Sequence, residues 1–373
     1  MLVNADFHIH SLFSMATSPA MKPPAILEGC LQKGIDVLGC GDALQPEWRH
    51  MWEPCLENDA GILVLPTAEV EGMKRVHHLI FMKDFAGFEE LTEIFRPFSR
   101  DILKGGRPHV RLSGKEIALA VHELGGLVGP AHAFTPWTGL YGHFDSLQEC
   151  YGEENIDFLE LGLSADSSYG DAISELYDVP FLSNSDAHSA SPLKLGREFN
   201  RMKIQHSTPE GVFEALKSGS VLMNAGFFPE EGKYNRTACT RCFEQYSLKE
   251  SASFGWKCPK DGGRIKAGVY DRAMSLCDGE KRARPPYYHI IPLGEIIMTV
   301  LGTSSPVTKK CQSLHQSLIS SLGNETGILT DVPVDEIREV NRGVGDAIGA
   351  FRRGEFVLYP GGGGKYGSFS LSV

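Results

Sequence analysis

The feature that most constrains this chain is a series of short β-rich runs separated by helical patterns. The runs cover residues 2–8, 36–41, 61–66, 76–82, 127–131, 158–161 and 180–184. Amphipathic helical patterns lie between several of them, at residues 24–33, 113–124, 171–177 and 209–218. Because this alternation is typical of parallel strands whose faces are covered by helices, the sequence predicts an α/β fold with a mostly parallel sheet or barrel.

Residue types that bind metals stand where most of these runs end. His8 and His10 close the first run, and Asp186 and His188 follow the last. Alternate residues of a strand point the same way, so each pair can reach one site at the carboxyl edge of the strands. The runs between these two contain, or are followed by, five further residues of this kind: Asp42, Glu69, His77, His78 and His132. Since His77 and His78 point to opposite faces of a strand, only one of them can be a ligand.

So many ionisable side chains in one place indicate a metal centre. Burying them together without a metal would cost too much free energy. Mixed imidazole and carboxylate ligands favour Zn, Mn or Fe, with Mg as a further candidate, and about eight ligands can hold two or three ions. Such a centre lowers the pKa of water and neutralises charge on a phosphate. The sequence therefore predicts a metal-dependent phosphoesterase.

The order of these motifs resembles the polymerase and histidinol phosphatase (PHP) superfamily over about residues 1–225. The matching residues are Asp6-x-His8-x-His10, Asp42, Glu69, a His of the pair 77–78, His132 and Ser185-Asp186-Ala187-His188. The resemblance implies a distorted β/α barrel. It makes His8, His10, Glu69 and Asp186 catalytic ligands of a first metal, with Glu69 bridging to a second metal held by His77 and His132, and it assigns Asp42 and His188 to a third. Where the superfamily often has a His after Asp42, this chain has Ala43-Leu44-Gln45, so either His50 replaces that His or the third metal is weakly held.

Within that superfamily the chain resembles the endonuclease Q family. The local matches are His8-Ile9-His10-Ser11, Gly41-Asp42, residues 131–137, residues 183–189 and a cysteine-bearing insert after them. The resemblance implies cleavage of DNA on the 5′ side of uracil, hypoxanthine, xanthine or an abasic site, by hydroxide activated on the metals and with the base flipped out of the duplex. The expected substrate contacts are Phe13, Ser14, Ser18, Arg75, Trp137, Lys365 and Tyr366.

The insert itself carries a zinc-ribbon pattern. Cys239-x2-Cys242 and Cys258 offer three thiolates at ligand spacing, so one structural Zn is expected. Asp261 is the preferred fourth ligand because of its spacing, and Cys277 is the alternative. Residues 233–289 hold twelve Lys and Arg against six acids, although the whole chain has a net charge of -11. Such a basic flank suits contacts to DNA phosphates.

Composition changes divide the chain into three expected units. These are residues 1–228, a zinc-ribbon-like DNA-binding insert at 229–285, and a mainly helical DNA-binding region at 286–373 with helices at 293–301, 307–322 and 334–351. The last unit ends in a glycine-rich loop, Gly361 to Gly364 followed by Lys365 and Tyr366, whose amides are candidates to approach a phosphate.

The remaining features indicate where the protein acts and which alternative functions are open to it. No run of about 18 apolar residues suggests a membrane span, and the nine cysteines do not form a disulfide framework. We expect a cytoplasmic, nucleoid-associated protein that acts on double-stranded DNA with a damaged base, with repair or replication proteins as further partners. A small-molecule phosphatase acting on a histidinol phosphate-like monoester and a non-catalytic DNA-binding adaptor are the alternatives. The basic flanks of the cysteines favour DNA over a small metabolite.

Overall fold

The computed structural model describes residues 1–371 of the chain and has a mixed α/β fold. The first 226 residues contain ten strands: β1 (Leu2–Asp6), β2 (Val37–Gly39), β3 (Leu63–Leu65), β4 (Thr67–Glu71), β5 (His77–Phe81), β6 (Leu127–Pro130), β7 (Leu159–Glu160), β8 (Phe181–Leu182), β9 (Phe199–Lys203) and β10 (Val221–Gly226). Six helices accompany them: α1 (Pro23–Lys33), α2 (Pro46–Trp52), α3 (Phe85–Phe95), α4 (Gly114–Glu123), α5 (Leu147–Tyr151) and α6 (Pro209–Lys217).

The later part of the chain contains small sheets and helices. The insert holds β11 (Ala238–Cys239), α7 (Leu248–Ser253), β12 (Ile265–Lys266) and α8 (Val269–Leu276). The C-terminal region holds β13 (Tyr287–His289), α9 (Leu293–Leu301), α10 (Lys309–Leu322), α11 (Glu325–Thr330), α12 (Val334–Val340), α13 (Arg342–Arg352), β14 (Phe356–Tyr359) and β15 (Ser368–Leu371). Residues 372 and 373 of the expected third unit lie outside the described residues.

The sheets are less parallel than the sequence predicts. A six-stranded sheet has the order β13-β10-β9-β1-β2-β3, in which β1, β2 and β3 are parallel while β9 runs antiparallel to β1 and β10. Strands β4, β5 and β6 form an antiparallel sheet, and β7 pairs with β8 in parallel. The tight turn between β4 and β5 carries Lys74 and Arg75 at positive φ and joins the two strands as an antiparallel hairpin, where a mostly parallel sheet was expected.

Helix ends agree with the sequence where a capping signal is local. Ser113 caps α4 in a capping box with Glu116, a pattern that the sequence shows three residues apart. The segment expected to be helical at 171–177 forms only a single 3-10 turn, Ser174–Leu176. The helix expected at 334–351 is two helices, because Asn341 takes an extended backbone and its side chain caps Val344 N of α13. Within the described residues, none of the helices combines the length and apolarity that crossing a bilayer requires.

Candidate metal centre

The two paired motifs at opposite ends of the first 226 residues lie side by side. Ile9 forms a parallel bridge with Ala187, and His10 N donates to Ala187 O at 2.9 Å. This bridge brings His8 and His10 next to Asp186 and His188, as the spacing predicts. His10 and His188 have ring centroids 4.5 Å apart.

The described ligand atoms fall into three overlapping groups, each within 4.8 Å. The first is His8, His10 and Glu69; the second is Glu69, His77 and His132; the third is His10, Asp186 and His188. Glu69 joins two groups because Oε1 lies 2.7 Å from His77 Nδ1 and 2.9 Å from His132 Nε2, while Oε2 lies 3.4 Å from His10 Nε2. A carboxylate that faces two groups with separate oxygens is suited to bridge two metals.

Three buried atoms at the meeting point of these groups fit a metal. His8 Nε2, His10 Nε2 and Asp186 Oδ1 are buried and form no hydrogen bond with a described residue. His10 Nε2 and Asp186 Oδ1 lie 3.1 Å apart, and His8 Nε2 lies 3.9 Å from the same oxygen. Buried polar atoms without partners are costly, so lone pairs that converge on one point suit a cation there.

The electrostatics of the centre also favour a cation. Burial alone would lower the pKa of His10, but the charge of Asp42 and the contact with Asp186 raise that pKa to about 9. Burial likewise opposes a charged His8, yet Glu160 and Glu69 raise its pKa well above the usual value. Burial would raise the pKa of Glu69, but His77 and His8 hold it well below its ordinary range. The carboxylates therefore stabilise positive charge at this place.

Orientation of the histidines depends on carboxylates that the sequence does not mark. His8 Nδ1 lies 3.0 Å from both oxygens of Glu160, which also accepts from His132 N and from Asn184 Nδ2. A partner on one ring nitrogen fixes the other nitrogen toward the centre. Glu71 contacts His77 Nε2 at 3.3 Å in the same way. Glu160 ends β7, so a polar side chain at the end of this short run is the sequence signal for its role.

Asp42 is placed differently from a direct ligand. Its Oδ1 lies 3.1 Å from His10 Nδ1, and its Oδ2 accepts hydrogen bonds from Ser11 and Ser14. It lies outside the three ligand groups of the described residues. The structure therefore has Asp42 orienting His10, where the resemblance implies a third-metal ligand.

The structure resolves the alternatives at His77 and His50. His77 faces Glu69 and His132, whereas His78 Nδ1 lies 2.8 Å from Tyr151 Oη on the other face. Burial, with the charge of His77, lowers the pKa of His78 to about 3. The candidate replacement His50 is wrong, because its side chain is 86% exposed and pairs with Glu53.

The backbone is strained at three strand ends of the centre. Asp42, His132 and Asp186 have φ values of 48°, 31° and 46°. A non-glycine residue in this region costs about 1–3 kcal/mol and persists only where the surroundings enforce it. Strain at all three positions is typical of a functional site.

Five of the seven expected substrate residues occupy two places. Phe13, Ser14 and Ser18 lie on the loop beside the centre, where Ser14 Oγ donates to Asp42 and Ser18 N donates to His188 O. Trp137 and Tyr366 line a cavity of about 710 Å³ together with Lys194, Arg197, Phe227, Lys233 and Tyr234. Two residues of its lining are linked to the centre: Trp137 lies five residues after His132 in the chain, and Arg197 Nε donates to Ser185 O, next to Asp186.

Arg75 and the glycine-rich loop lie further from the centre. Arg75 is exposed and lies 3.8 Å from Glu71. The amides of Gly361, Gly362, Gly364 and Gly367 donate to backbone carbonyls, three of them to residues 230–233. The loop thus uses these amides to hold the insert, and they are not free to receive a phosphate. Lys365 is exposed beside them.

The insert gathers the residues of the predicted zinc ribbon. One ligand atom from each of Cys239, Cys242, Cys258 and Asp261 lies within 4.8 Å of the others. Cys242 Sγ is 3.6 Å from Cys258 Sγ, and Cys239 Sγ is 3.4 Å from Asp261 Oδ1. Cys277 is not in this group and its thiol contacts Ala273 O. Of the two candidates for fourth ligand, Asp261 is therefore the one that the geometry favours.

Comparisons with known proteins match parts of the chain or nearly all of it. The family model of the MJ0043 C-terminal domain matches residues 292–355. The uncharacterized protein YqxK of Bacillus subtilis is 31% identical over 399 aligned positions, which cover 98% of both chains. The uncharacterized protein MJ0043 of Methanocaldococcus jannaschii is 44% identical over 248 residues, which cover 64% of this chain and 31% of that protein. The match thus spans about a third of MJ0043.

Two solved structures match over the full length. The lesion-specific endonuclease PfuEndoQ from Pyrococcus furiosus has a TM-score of 0.96 and 42% identity, covering 100% of this chain and 96% of that chain. The chain belongs to the endonuclease Q family. An endonuclease Q in complex with a 27-mer duplex substrate, with an abasic lesion at the active site, gives a TM-score of 0.93 and 43% identity, covering 100% and 97%. The similarity to endonuclease Q thus also covers the insert and the C-terminal helices, which lie outside the part that carries the metal-ligand motifs.

Proposed function

We propose that this protein is a metal-dependent DNA-repair endonuclease that hydrolyses the phosphodiester on the 5′ side of a deaminated base or an abasic site. The observation that carries this proposal is the full-length match to an endonuclease Q bound to a lesion duplex, joined to a three-group ligand centre in this chain. A fold alone does not set function. The convergent ligand atoms supply the site that a hydrolase of this class needs.

The ligand groups suggest where divalent metals bind. His8, His10, Glu69 and Asp186 would hold one ion, Glu69, His77 and His132 a second, and His188 with Asp186 a further one. Divalent ions there, with Zn, Mn, Mg and Fe as candidates, would lower the pKa of water and neutralise the phosphate. Glu160 holds His8 with Nε2 toward the centre, and Asp42 does the same for His10.

The cavity beside Trp137 is the proposed place for an extruded nucleotide. Trp137 is 47% exposed and Lys266 Nζ lies 3.0 Å from its ring centroid, so a ring and a cation stand together at the rim. Base stacking on an aromatic ring and phosphate contacts by cations are the general means of holding a nucleotide. Flipping the base costs least where its pair is already weakened. Phe13, Ser14 and Ser18 would border the reacting phosphate.

We also propose that residues 1–228 form the catalytic unit, residues 229–285 a zinc-ribbon-like DNA-binding insert, and residues 286–373 a helical DNA-binding region. Supporting this division, Leu293, Ile297, Leu318 and Ile348 belong to a separate apolar core cluster of the C-terminal helices. The small core of the insert contains Cys239, Cys258 and Ile265. Small cores of this kind commonly need a metal for stability.

Nicking of lesion-bearing duplexes tests the proposal. Labelled duplexes that carry uracil, hypoxanthine, an abasic site or no lesion are incubated with the purified protein, with and without divalent metals. We expect metal-dependent nicking 5′ of the lesion, leaving a 3′-hydroxyl and a 5′-phosphate. Asp186→Ala should abolish nicking, whereas Asp59→Ala, an exposed acid outside the centre, should cleave like the wild type.

Two outcomes would contradict it. Hydrolysis of a histidinol phosphate-like monoester without nicking of any duplex would make the protein a small-molecule phosphatase. Binding of lesion duplexes without turnover under all metals would make it a DNA-binding adaptor.

A further inference from the structure

A loop between α3 and α4 folds over the metal centre and carries Arg107. Gly106 N donates to Phe13 O at 3.2 Å, and Glu71 N donates to Pro108 O at 3.0 Å. The backbone is thus held on both sides of Arg107. A Cβ on Gly106 would lie 2.0 Å from Asp42 Oδ2, so only glycine allows the loop to lie this close to the centre.

Arg107 places a guanidinium at the open edge of the centre. Its Nη1 donates to Glu69 Oε2 at 2.9 Å, while its side chain is 31% exposed and that of Glu69 only 1%. Among the residues that the structure describes, it is the one Lys or Arg that forms an ion pair with Glu69, Asp42 or Asp186. Its other N–H groups form no hydrogen bond within the described chain. They remain available to a ligand that enters from solvent.

The guanidinium of arginine is a permanent cation in proteins. A guanidinium presents its donors in a fixed fork that matches two oxygens of a phosphate. The fork is held by the loop and by Glu69, so little reorganisation is needed when a phosphate arrives.

We propose that Arg107 donates to a nonbridging oxygen of the scissile phosphate and is a catalytic residue of this centre. The inference rests on the proposed function. In the reaction a water oxygen forms a bond to phosphorus and the P–O3′ bond breaks. One water proton passes to O3′ and the other stays on the new phosphate monoester, so atoms and electrons balance. Arg107 stabilises the negative charge that the nonbridging oxygens carry as these bonds change.

Three variants test the role of Arg107: Arg107→Ala, Arg107→Lys and, as a matched control, Arg111→Ala. Arg111 belongs to the same loop, is exposed, and donates to Pro97 O away from the centre. Each variant is assayed on a lesion duplex and on bis(p-nitrophenyl) phosphate, a diester without a base. Bound metal is counted by elemental analysis, duplex affinity by anisotropy and stability by thermal melting.

Loss of Arg107 should slow turnover without removing metal. We expect Arg107→Ala to lower kcat about 100-fold on both substrates, as for loss of one preorganised donor, with KM for the duplex changed by less than about threefold. Metal content and melting should stay those of the wild type. Free guanidinium ion should restore the Arg107→Ala rate about tenfold or more, Arg107→Lys should retain part of the activity, and Arg111→Ala should equal the wild type.

The results separate this inference from the proposed function. Wild-type rates for Arg107→Ala on both substrates would overturn the inference, as would loss of metal without guanidinium rescue, since Arg107 would then only position Glu69. If the wild type cleaves the diester but no lesion duplex, the proposed function fails. In that case the contact between Arg107 and the phosphate would still be supported if Arg107→Ala cleaves the diester more slowly and free guanidinium ion restores the rate.

Discussion

Lys33 Nζ lies 2.7 Å from Glu325 Oε1, and both side chains are buried, with 0% and 1% exposure. Lys33 ends α1 beside the sheet, and Glu325 begins α11 in the C-terminal helices. Lys33 Nζ also donates to Pro192 O, and Glu325 accepts from Leu293 N and contacts His315 Nε2. The two parts of the molecule are thus joined by a buried ion pair whose polar atoms are satisfied.

Breaking this pair on one side should destabilise the protein strongly. Glu325→Gln leaves the Lys33 charge buried without compensation, so we expect a loss of about 3–5 kcal/mol in the free energy of unfolding. The double variant Lys33→Met, Glu325→Leu should recover most of that loss because no charge stays buried. Urea unfolding measures both. As a control, Arg338→Ala breaks exposed pairs with Asp335 and Asp346 and should cost about 0–1 kcal/mol. An equal cost for the single and double variants would contradict this account.

The same pair predicts loss of stability in acid. Burial would raise the pKa of Glu325, but Lys33 and His315 lower it from 4.5 to about 2. A carboxyl whose folded pKa lies below its unfolded pKa stabilises the native state above the unfolded value. That contribution should be complete above pH 4.5 and should disappear as the pH falls toward 2. Urea unfolding at several acid pH values measures how the free energy of unfolding changes with pH. This change should be smaller for the Lys33→Met, Glu325→Leu variant than for the wild type. An equal change in both proteins would contradict a contribution from Glu325.

Local patterns explain why much of the centre is predictable from sequence. The spacing of His8 with His10 and of Asp186 with His188 follows from strand geometry, and a single bridge at Ile9 and Ala187 brings the pairs together. The Ser113 cap is likewise set by residues within one turn. Within each pair and at the cap, the signal and the structure lie within a few residues of each other, whereas the bridge between the pairs is a distant contact.

The parts that were missed depend on contacts that are distant in sequence. Strands β9 and β10 carry buried Asn200 and Asn224, which interrupt the apolar pattern and whose Nδ2 groups donate to Ser183 O and Phe181 O. Arg107 reaches Glu69 from a loop that only tertiary contacts hold in place. Asp42 is a buried acid whose role is set by which nitrogen of His10 it faces. Residue types alone do not encode such choices.

Glu198 predicts a second pH dependence, of opposite sign. It is buried, its Oε1 accepts from Phe227 N, and burial raises its pKa from 4.5 to about 8. A carboxyl whose folded pKa is raised stabilises the native state at low pH, and that contribution is lost as the pH rises. Stability should therefore fall between pH 4.5 and about 8. Glu198→Gln keeps the shape of the neutral carboxyl group, so its melting temperature should fall less over this pH range than that of the wild type. An equal fall in both proteins would rule out Glu198 as the source.

Trp137 should contribute to recognition of the extruded nucleotide. Trp137→Ala removes an exposed ring beside the proposed base cavity, so we expect a loss of about 1–3 kcal/mol in affinity for a lesion duplex. Affinity for undamaged duplex should change less, which lowers the preference for the lesion. Competition anisotropy measures this ratio. Phe98→Ala is the control, because that ring is similarly exposed but lies outside both the cavity and the insert. An unaltered preference in Trp137→Ala would remove it from the recognition site.

The insert should bind one metal through three thiolates and Asp261. Cobalt(II) reports on this site alone, because thiolate ligands give a near-ultraviolet charge-transfer band and the histidine-carboxylate centre contains no cysteine. Cys258→Ser should weaken the band and lower the melting temperature. Asp261→Cys completes a four-thiolate set, so we expect the band to grow by about one third and zinc to bind about tenfold more tightly. Cys277→Ser should match the wild type, since its thiol contacts Ala273 O instead of the cluster. If Cys277→Ser weakens the band while Asp261→Ala does not, the fourth ligand is Cys277 and the insert rearranges when it binds metal.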